Sequence, residues 1–207
     1  VTRAFGTLEW RASERWLFNV GTMIEDNSLT RVALAPRVSA NYHMTDSQTW
    51  RISVNRSHRN PMAFEQRSSM IFSNSAPFSI PGRTIPAGTP INQTFRPSPD
   101  LHAERITTYE LGYLAELREI ATTIDARLFL ERARDLVEMK LEPSTVGLFS
   151  RSNTRYFTNS GEANIRGLEI SATWRPSPRT WLTAHHTALR IDNPNYTRST
   201  ANSNSSG

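Results

Sequence analysis

The chain has no cysteine, which excludes a disulfide framework and a thiolate metal site. Lys140 is its only lysine, so arginine carries nearly all of its positive charge. No apolar run approaches the roughly 18–20 residues of a membrane-crossing helix, and helical spanning is excluded. A hydrophobic content of 37% and a mean hydropathy of −0.51 agree with that. They do not exclude a membrane barrel, whose strands need only one apolar face. No secretory leader is visible, because Val1 opens directly into strand-like sequence. The net charge is +5, but the arginines are scattered rather than gathered into a stripe, which argues against a nucleic-acid partner. Local pairing with acids accounts for them, since a guanidinium forks well onto a carboxylate.

What the sequence does have is strict alternation. In residues 104–118, Tyr109, Leu111, Tyr113, Ala115 and Leu117 share one face. Glu104, Thr108, Glu110, Gly112, Glu116 and Arg118 share the other. Period two with two environments predicts a strand, and this one far exceeds the usual ~5–6 residues of a soluble sheet. Such a length suits a tilted strand that crosses a bilayer and projects past it. Comparable alternation predicts strands over 3–12, 16–25, 32–43, 49–57, 123–139, 164–175 and 179–191, the last without assignable faces. The breaks between them alternate. Short ones lie near 13, 46, 121 and 177; longer ones span 25–31, 58–103, 142–163 and 192–207. An up-and-down meander with short turns at one rim and long loops at the other has this pattern.

All five tryptophans lie near short turns. Trp10, Trp16, Tyr42, Trp50, Trp174 and Trp181 therefore form a candidate membrane-interface girdle, where an apolar ring and a polar edge are both satisfied. The fold expected is all-β: an antiparallel up-and-down transmembrane β-barrel of about eight strands, cut from a larger barrel. Residues 1–191 would form the barrel part and 192–207 a loose Asn/Ser-rich loop or tail. A soluble β-protein, such as a carbohydrate- or adhesion-binding module, is the alternative; strand length and the tryptophan pattern separate the two.

Several segments, taken in order, resemble TonB-dependent outer-membrane receptors. LHAERITTYELGY (101–113) resembles their L-x-P-E-x-x-x-x-Y-E-x-G strand, with Ala103 in place of the common proline. WRISVNRSHRNPMAFEQ (50–66) is similar to their strand that ends in Arg-x-Pro before a long loop. APRVSANYHMTDSQTWRIS (35–53), ARLFLERARDLVE (126–138) and NSGEANIRGLEISATWRPSPRTWL (159–182) resemble further barrel segments. The resemblance implies a 22-stranded barrel of the cell outer membrane, filled by an N-terminal plug. It implies uptake of a scarce nutrient, such as an iron–siderophore complex, driven by the TonB system. Neither the plug nor a TonB box is seen here, so the chain is expected to be barrel wall in contact with outer-membrane lipid.

No catalytic arrangement or cofactor motif emerges. Glu104, Glu110 and Glu116 share a strand face, but positions six apart lie about 20 Å from one another, too far for a carboxylate pair. His185 and His186 are strand neighbours that point to opposite faces, so no metal site is expected. Candidate ligand contacts lie in the long breaks: Phe72, Phe78, Arg83, Phe95, Arg96, Arg151, Arg155, Tyr156 and Phe157. Aromatic rings with arginine suit an anionic, ring-bearing chelate through stacking and charge. A two-residue turn at Ala121-Thr122 is expected to oppose Glu116 to Arg127 and Arg118 to Asp125.

Overall fold

The computed structural model describes residues 1–148 and 153–193. Four long strands open the chain: β1 (Thr2–Arg11), β2 (Trp16–Asn27), β3 (Arg31–Thr45) and β4 (Gln48–Arg59). A long excursion follows, containing α1 (Ala63–Arg67), β5 (Met70–Ser73), β6 (Phe78–Ile80), β7 (Arg83–Ile85) and β8 (Pro90–Phe95). Four more long strands complete it: β9 (Glu104–Leu117), β10 (Thr122–Pro143), β11 (Asn153–Ser177) and β12 (Thr180–Asp192). The long strands pair antiparallel in chain order from β1 to β4, then β9 to β12. Among the described residues β1 and β12 each pair on one side only, so this part of the barrel wall is open.

The alternation in sequence becomes two faces in space. One row across the sheet reads Phe18, Ala40, Ile52, Leu111, Leu128, Leu168, Ala188. The neighbouring row on the other face reads Leu17, Asn41, Arg51, Gly112, Arg127, Glu169, Thr187. Few apolar side chains are buried, namely Ile85, Leu101, Ala115 and Ala133 among the described residues. Leu8, Leu34, Ile52, Leu128 and Trp174 stand exposed. A sheet that leaves most of its apolar face uncovered does not get its stability from an internal core; that face needs a partner outside the chain.

Two expectations are corrected. The turn between β9 and β10 is longer than a two-residue hairpin: Arg118–Ile120 forms a 3-10 turn closed by Ala121 in the left-handed region at φ 48°. The register follows from it, with Leu117 opposite Thr122, Glu116 opposite Thr123 and Tyr113 opposite Ala126. Glu116 does not face Arg127, nor Arg118 Asp125; Arg127 stands opposite Gly112. The slip is an even number of residues, so every side chain keeps its expected face. The second correction concerns residues 142–163. They are mostly strand, because β10 runs on to Pro143 and β11 begins at Asn153. A bulge at Ala133–Leu136, with Asp135 at φ 59°, interrupts the register where this extension begins.

In β12, whose faces the sequence left open, Leu182, Ala184, His186 and Ala188 share the face of Trp174, Ala172, Ile170 and Leu168. His185 and His186 fall on opposite faces, as expected. Of the 192–207 tail, Asp192 ends β12 and residues 194–207 lie outside the described residues.

Candidate functional site

The excursion between β4 and β9 is built into the long-loop rim. Its neck is the terminal pair Arg59–Glu104. The Arg59 guanidinium forks onto the Glu104 carboxylate through Nε and Nη2, each at 2.6 Å, and Nη1 reaches Glu65 at 3.3 Å. Glu104 also accepts the Val137 N–H at 2.7 Å, which ties the neck to the β10 extension. Glu65 turns back onto the Met62 N–H at 2.7 Å and caps the single turn of α1. On the other flank, the Asn60 amide donates to Glu25 and accepts from the Thr30 hydroxyl at 2.7 Å. The buried Gln66 amide donates to the carbonyls of Leu29 and Pro99 at 3.0 and 3.2 Å. The excursion thus bridges the β2–β3 loop and the β10–β11 extension.

Its far half docks on β11. Phe95 and Arg155 form a parallel pairing, and the Arg96 N–H donates to the Arg155 carbonyl at 3.0 Å. The buried Thr154 hydroxyl donates to the Gln93 carbonyl at 2.7 Å, while the Ser98 hydroxyl accepts the Phe157 N–H at 2.9 Å. The Asn159 side chain accepts from the His102 N–H and donates to its carbonyl, both at 3.0 Å. Phe64, Phe95 and Phe157 close into a ring cluster with centroids 5.4 to 6.5 Å apart. Prolines that cannot donate in a ladder are confined to the edges and turns of this segment. What the sequence presents as one irregular loop is therefore a docked subassembly.

Five of the sequence-predicted contacts come together here: Phe95, Arg96, Arg155, Tyr156 and Phe157. The Arg96 guanidinium lies 4.1 Å from the Tyr156 ring centroid and is paired with Glu142. The Arg96 hydrogen bond holds the Glu142 carboxyl below the usual carboxylate range. Arg96 is thus already neutralised. Arg155 differs: it stands 5.6 Å from the Phe95 ring centroid and has no carboxylate within ion-pair reach among the described residues. A cavity of about 290 Å³ opens beside the cluster, lined by Ser98, His102, Tyr156, Phe157 and Asn159. Phe72 lies in β5, and Phe78 and Arg83 lie in the β6–β7 hairpin, apart from the cluster. Arg151 lies outside the described residues. Sequence reasoning missed Phe64, Gln66, Ser98 and Glu142. Phe64 carried the aromatic signal used for the others, but Glu142 had none, since its partner is far off along the chain.

On the polar face Arg127 bridges Glu110 at 2.7 Å and Glu169 at 2.8 Å, and the Ser53 hydroxyl donates to Glu110 at 2.8 Å. This string joins β4, β9, β10 and β11 across the wall. On the apolar face, Trp16, Tyr42, Trp50 and Tyr113 form one row near the short turns. Trp16 and Tyr42 lie 4.8 Å apart, and Trp50 and Tyr113 4.6 Å apart. Trp10 stacks on Phe18 at 5.5 Å. Trp174 shares this face, whereas strand alternation puts Trp181 on the other, opposite in sense to Leu182.

The family described as TonB dependent receptor-like, beta-barrel matches residues 1–207. No curated protein matches the chain. Among solved structures, the siderophore receptor PirA from Pseudomonas aeruginosa is similar with a TM-score of 0.68 and 13% identity, over 92% of this chain and 34% of that one. A mutant of the ferric enterobactin receptor PfeA, also from Pseudomonas aeruginosa, matches at 0.70 and 13% over 90% and 26%. The alcaligin outer membrane receptor FauA from Bordetella pertussis matches at 0.59 and 14% over 93% and 30%. The chain spans about a third or less of the length of these proteins. At such identities the likeness is one of fold. Nothing in these matches favours the soluble binding module.

Proposed function

Because this chain belongs to the TonB-dependent receptor-like β-barrel family, whose members are outer-membrane transport receptors, we propose that it walls a receptor for a scarce ligand, a ferric siderophore first among them. The reading is supported by the ligands named for the matched structures and by one local observation. The excursion of residues 60–103 docks on β11 and sets Arg155, with no carboxylate in ion-pair reach among the described residues, beside Phe95 in the ring cluster of Phe64, Phe95 and Phe157. Rings and a guanidinium at the mouth of a barrel suit an anionic, aromatic chelate. The apolar face meets the hydrocarbon of the outer membrane, the polar face turns to the lumen, and the long loops face outward. The aromatic row then lies at the interface on the short-turn side. Energy comes from the TonB system, acting through a plug domain inside the barrel.

Two perturbations of the full-length receptor test this. Removing residues 75–88 takes out the β6–β7 hairpin, whose neighbours Asn74 and Thr89 are already joined by a 3.2 Å backbone hydrogen bond. Assembly should survive. Arg155→Ala should weaken ferric siderophore binding about tenfold, the ~1.4 kcal/mol expected of one charge-assisted contact. Wild-type affinity and uptake in both variants would reduce this rim to passive cover.

A further inference from the structure

The wall comes apart at Pro36. The ladder between β3 and β4 runs from Thr45 and Gln48 to Arg37 and Asn55 and stops there. Both strands continue: β3 stays paired with β2 as far as Arg31, and β4 with β9 as far as Arg59. Continued in register, Pro36 would oppose Arg56, Ala35 would oppose Ser57, Leu34 would oppose His58 and Ala33 would oppose Arg59; none of these pairs is made. Pro36 has no N–H to give to a ladder, so a proline at this place suits an unpaired side. At the top of the seam the two banks are held by side chains. Asn60 reaches Thr30 and Glu25, and Gln66 reaches the Leu29 carbonyl. Within the seam the His58 side chain is 5% exposed, and its Nδ1 has no hydrogen-bond partner among the described residues.

The seam lies within the apolar band. Trp50 belongs to the aromatic row near the short turns, and Asn55 and Arg59 stand five and nine positions above it on β4. At ~3.4 Å per residue and a tilt of ~45°, the seam runs from about 12 to about 22 Å above that row, inside a band ~25 Å tall. Unpaired strand edges persist at such a depth only where they border water or are covered. The two sides of the seam differ. Val32, Leu34 and Val54 flank it on the outward face, and all three are exposed. On the polar face its foot opens into a cavity of about 410 Å³, lined by Arg37, Ser39, Arg51, Ser53, Asn55 and Glu110. Glu110 is taken by Arg127 and Ser53. Arg37 and Arg51 are exposed and have no carboxylate within ion-pair reach among the described residues. They lie across glycines: the Arg37 Cγ is 3.3 Å from where a Gly21 Cβ would stand, and the Arg51 Nε is 3.7 Å from where a Gly112 Cβ would. Free cations inside and apolar flanks outside, joined by a slot through the wall, suit an amphipath whose anionic head stays in the lumen.

On the reading that the apolar face meets lipid and the polar face lines the lumen of a receptor for an anionic ligand, we infer that the β3–β4 seam takes the chain of a singly acylated anion. Arg37 and Arg51 hold its head group, and the chain passes sideways between Leu34 and Val54 into the outer leaflet. The test uses the full-length receptor in phosphatidylcholine vesicles and two probes, lauric acid with a terminal diazirine and its methyl ester. After illumination, labelled residues are located by peptide mass spectrometry. The acid should label Leu34 and Val54 about tenfold more than Leu128, an exposed apolar position away from the seam, since one charge-assisted contact is worth about that factor. The ester should label all three alike. Arg37→Ala/Arg51→Ala should bring the acid down to the pattern of the ester. In a receptor cleared of other cysteines, Ala35→Cys/Ser57→Cys should do the same once its disulfide is confirmed, and reduction should restore the preference. Even labelling by the acid, or a preference that survives the arginine variant or the closed disulfide, would overturn the inference. The ester separates the layers: label at Leu128 without seam preference sinks the inference alone, and no label there sinks the face assignment with it. Ferric siderophore binding is measured on the same vesicles; its absence beside an intact seam preference counts against the proposed siderophore alone.

Discussion

Glu104→Ala should open the neck of the rim excursion. The Glu104 side chain is 11% exposed and that of Arg59 is 41%. The carboxylate takes both arms of the Arg59 fork and the Val137 N–H, so the substitution removes three hydrogen bonds and leaves a backbone donor unpaired. Breaking a fully buried pair costs about 3–5 kcal/mol. Here Arg59 is partly solvated and retains Glu65 at 3.3 Å, which lowers the figure to about 2 kcal/mol of local stability. Global unfolding is not expected, because the ladder between β4 and β9 is untouched. The loss should appear as an opening equilibrium about thirtyfold more populated. Hydrogen exchange on the full-length receptor reads it at the Val137 amide and across residues 60–103, and proteolysis there should quicken alike. Glu104→Gln keeps an acceptor for Val137 and one bond to Arg59, and should recover about half of the effect. Unchanged exchange at Val137 in Glu104→Ala would refute the reasoning, since it would mean that β10 and β11 alone hold the extension.

Leu128→Arg, on an exposed apolar position, should destabilise the barrel by about 2–4 kcal/mol if the site lies near the bilayer midplane, read by denaturant unfolding in lipid vesicles. Arg127→Ala leaves Glu110 and Glu169 without their shared cation and should cost about 1–3 kcal/mol in the same assay; Arg127→Lys should recover only part, because an ammonium cannot fork onto both. Gly167→Ala should destabilise by about 1–3 kcal/mol, since a Cβ there would meet the Phe129 ring at 2.7 Å and the Ala188 carbonyl oxygen at 2.8 Å, the latter on backbone that cannot swing aside.

The long strands were legible because two solvents impose period two on them, and an even slip in register does not disturb it. That is why the faces of β9 and β10 could be read correctly while their pairing was not. The register depended on Arg118–Ala121, which folds as a 3-10 turn with a non-glycine residue at positive φ, and strand-like Leu117 and Thr122 on either side give no sign of it. Charge was a poor guide for a second reason. Arg127 reaches one acid directly across on β11 and another diagonally on β9, a geometry that a search for opposed pairs in one hairpin overlooks. In β11 before Gly161 the sequence NTRYFTNS carries no alternation, so strand reads as loop, although Val137, Met139 and Leu141 keep the alternation in β10. The rim cluster was half legible for a related reason. Its rings and arginines stood out by type, but Ser98, Gln66 and Glu142 act through partners fixed only by the docking of β8 on β11.

The central claim is that alternate residues of these strands face hydrocarbon and lumen. These 207 residues contain no cysteine of their own, so single cysteines can be placed along β10 in a full-length receptor cleared of any others, and spin-labelled in lipid vesicles. Accessibility to oxygen, which concentrates in hydrocarbon, is then measured from position 124 to position 130. The account predicts maxima at 124, 126, 128 and 130 and minima at 125, 127 and 129. Maxima at the odd positions, or a profile without alternation, would contradict it.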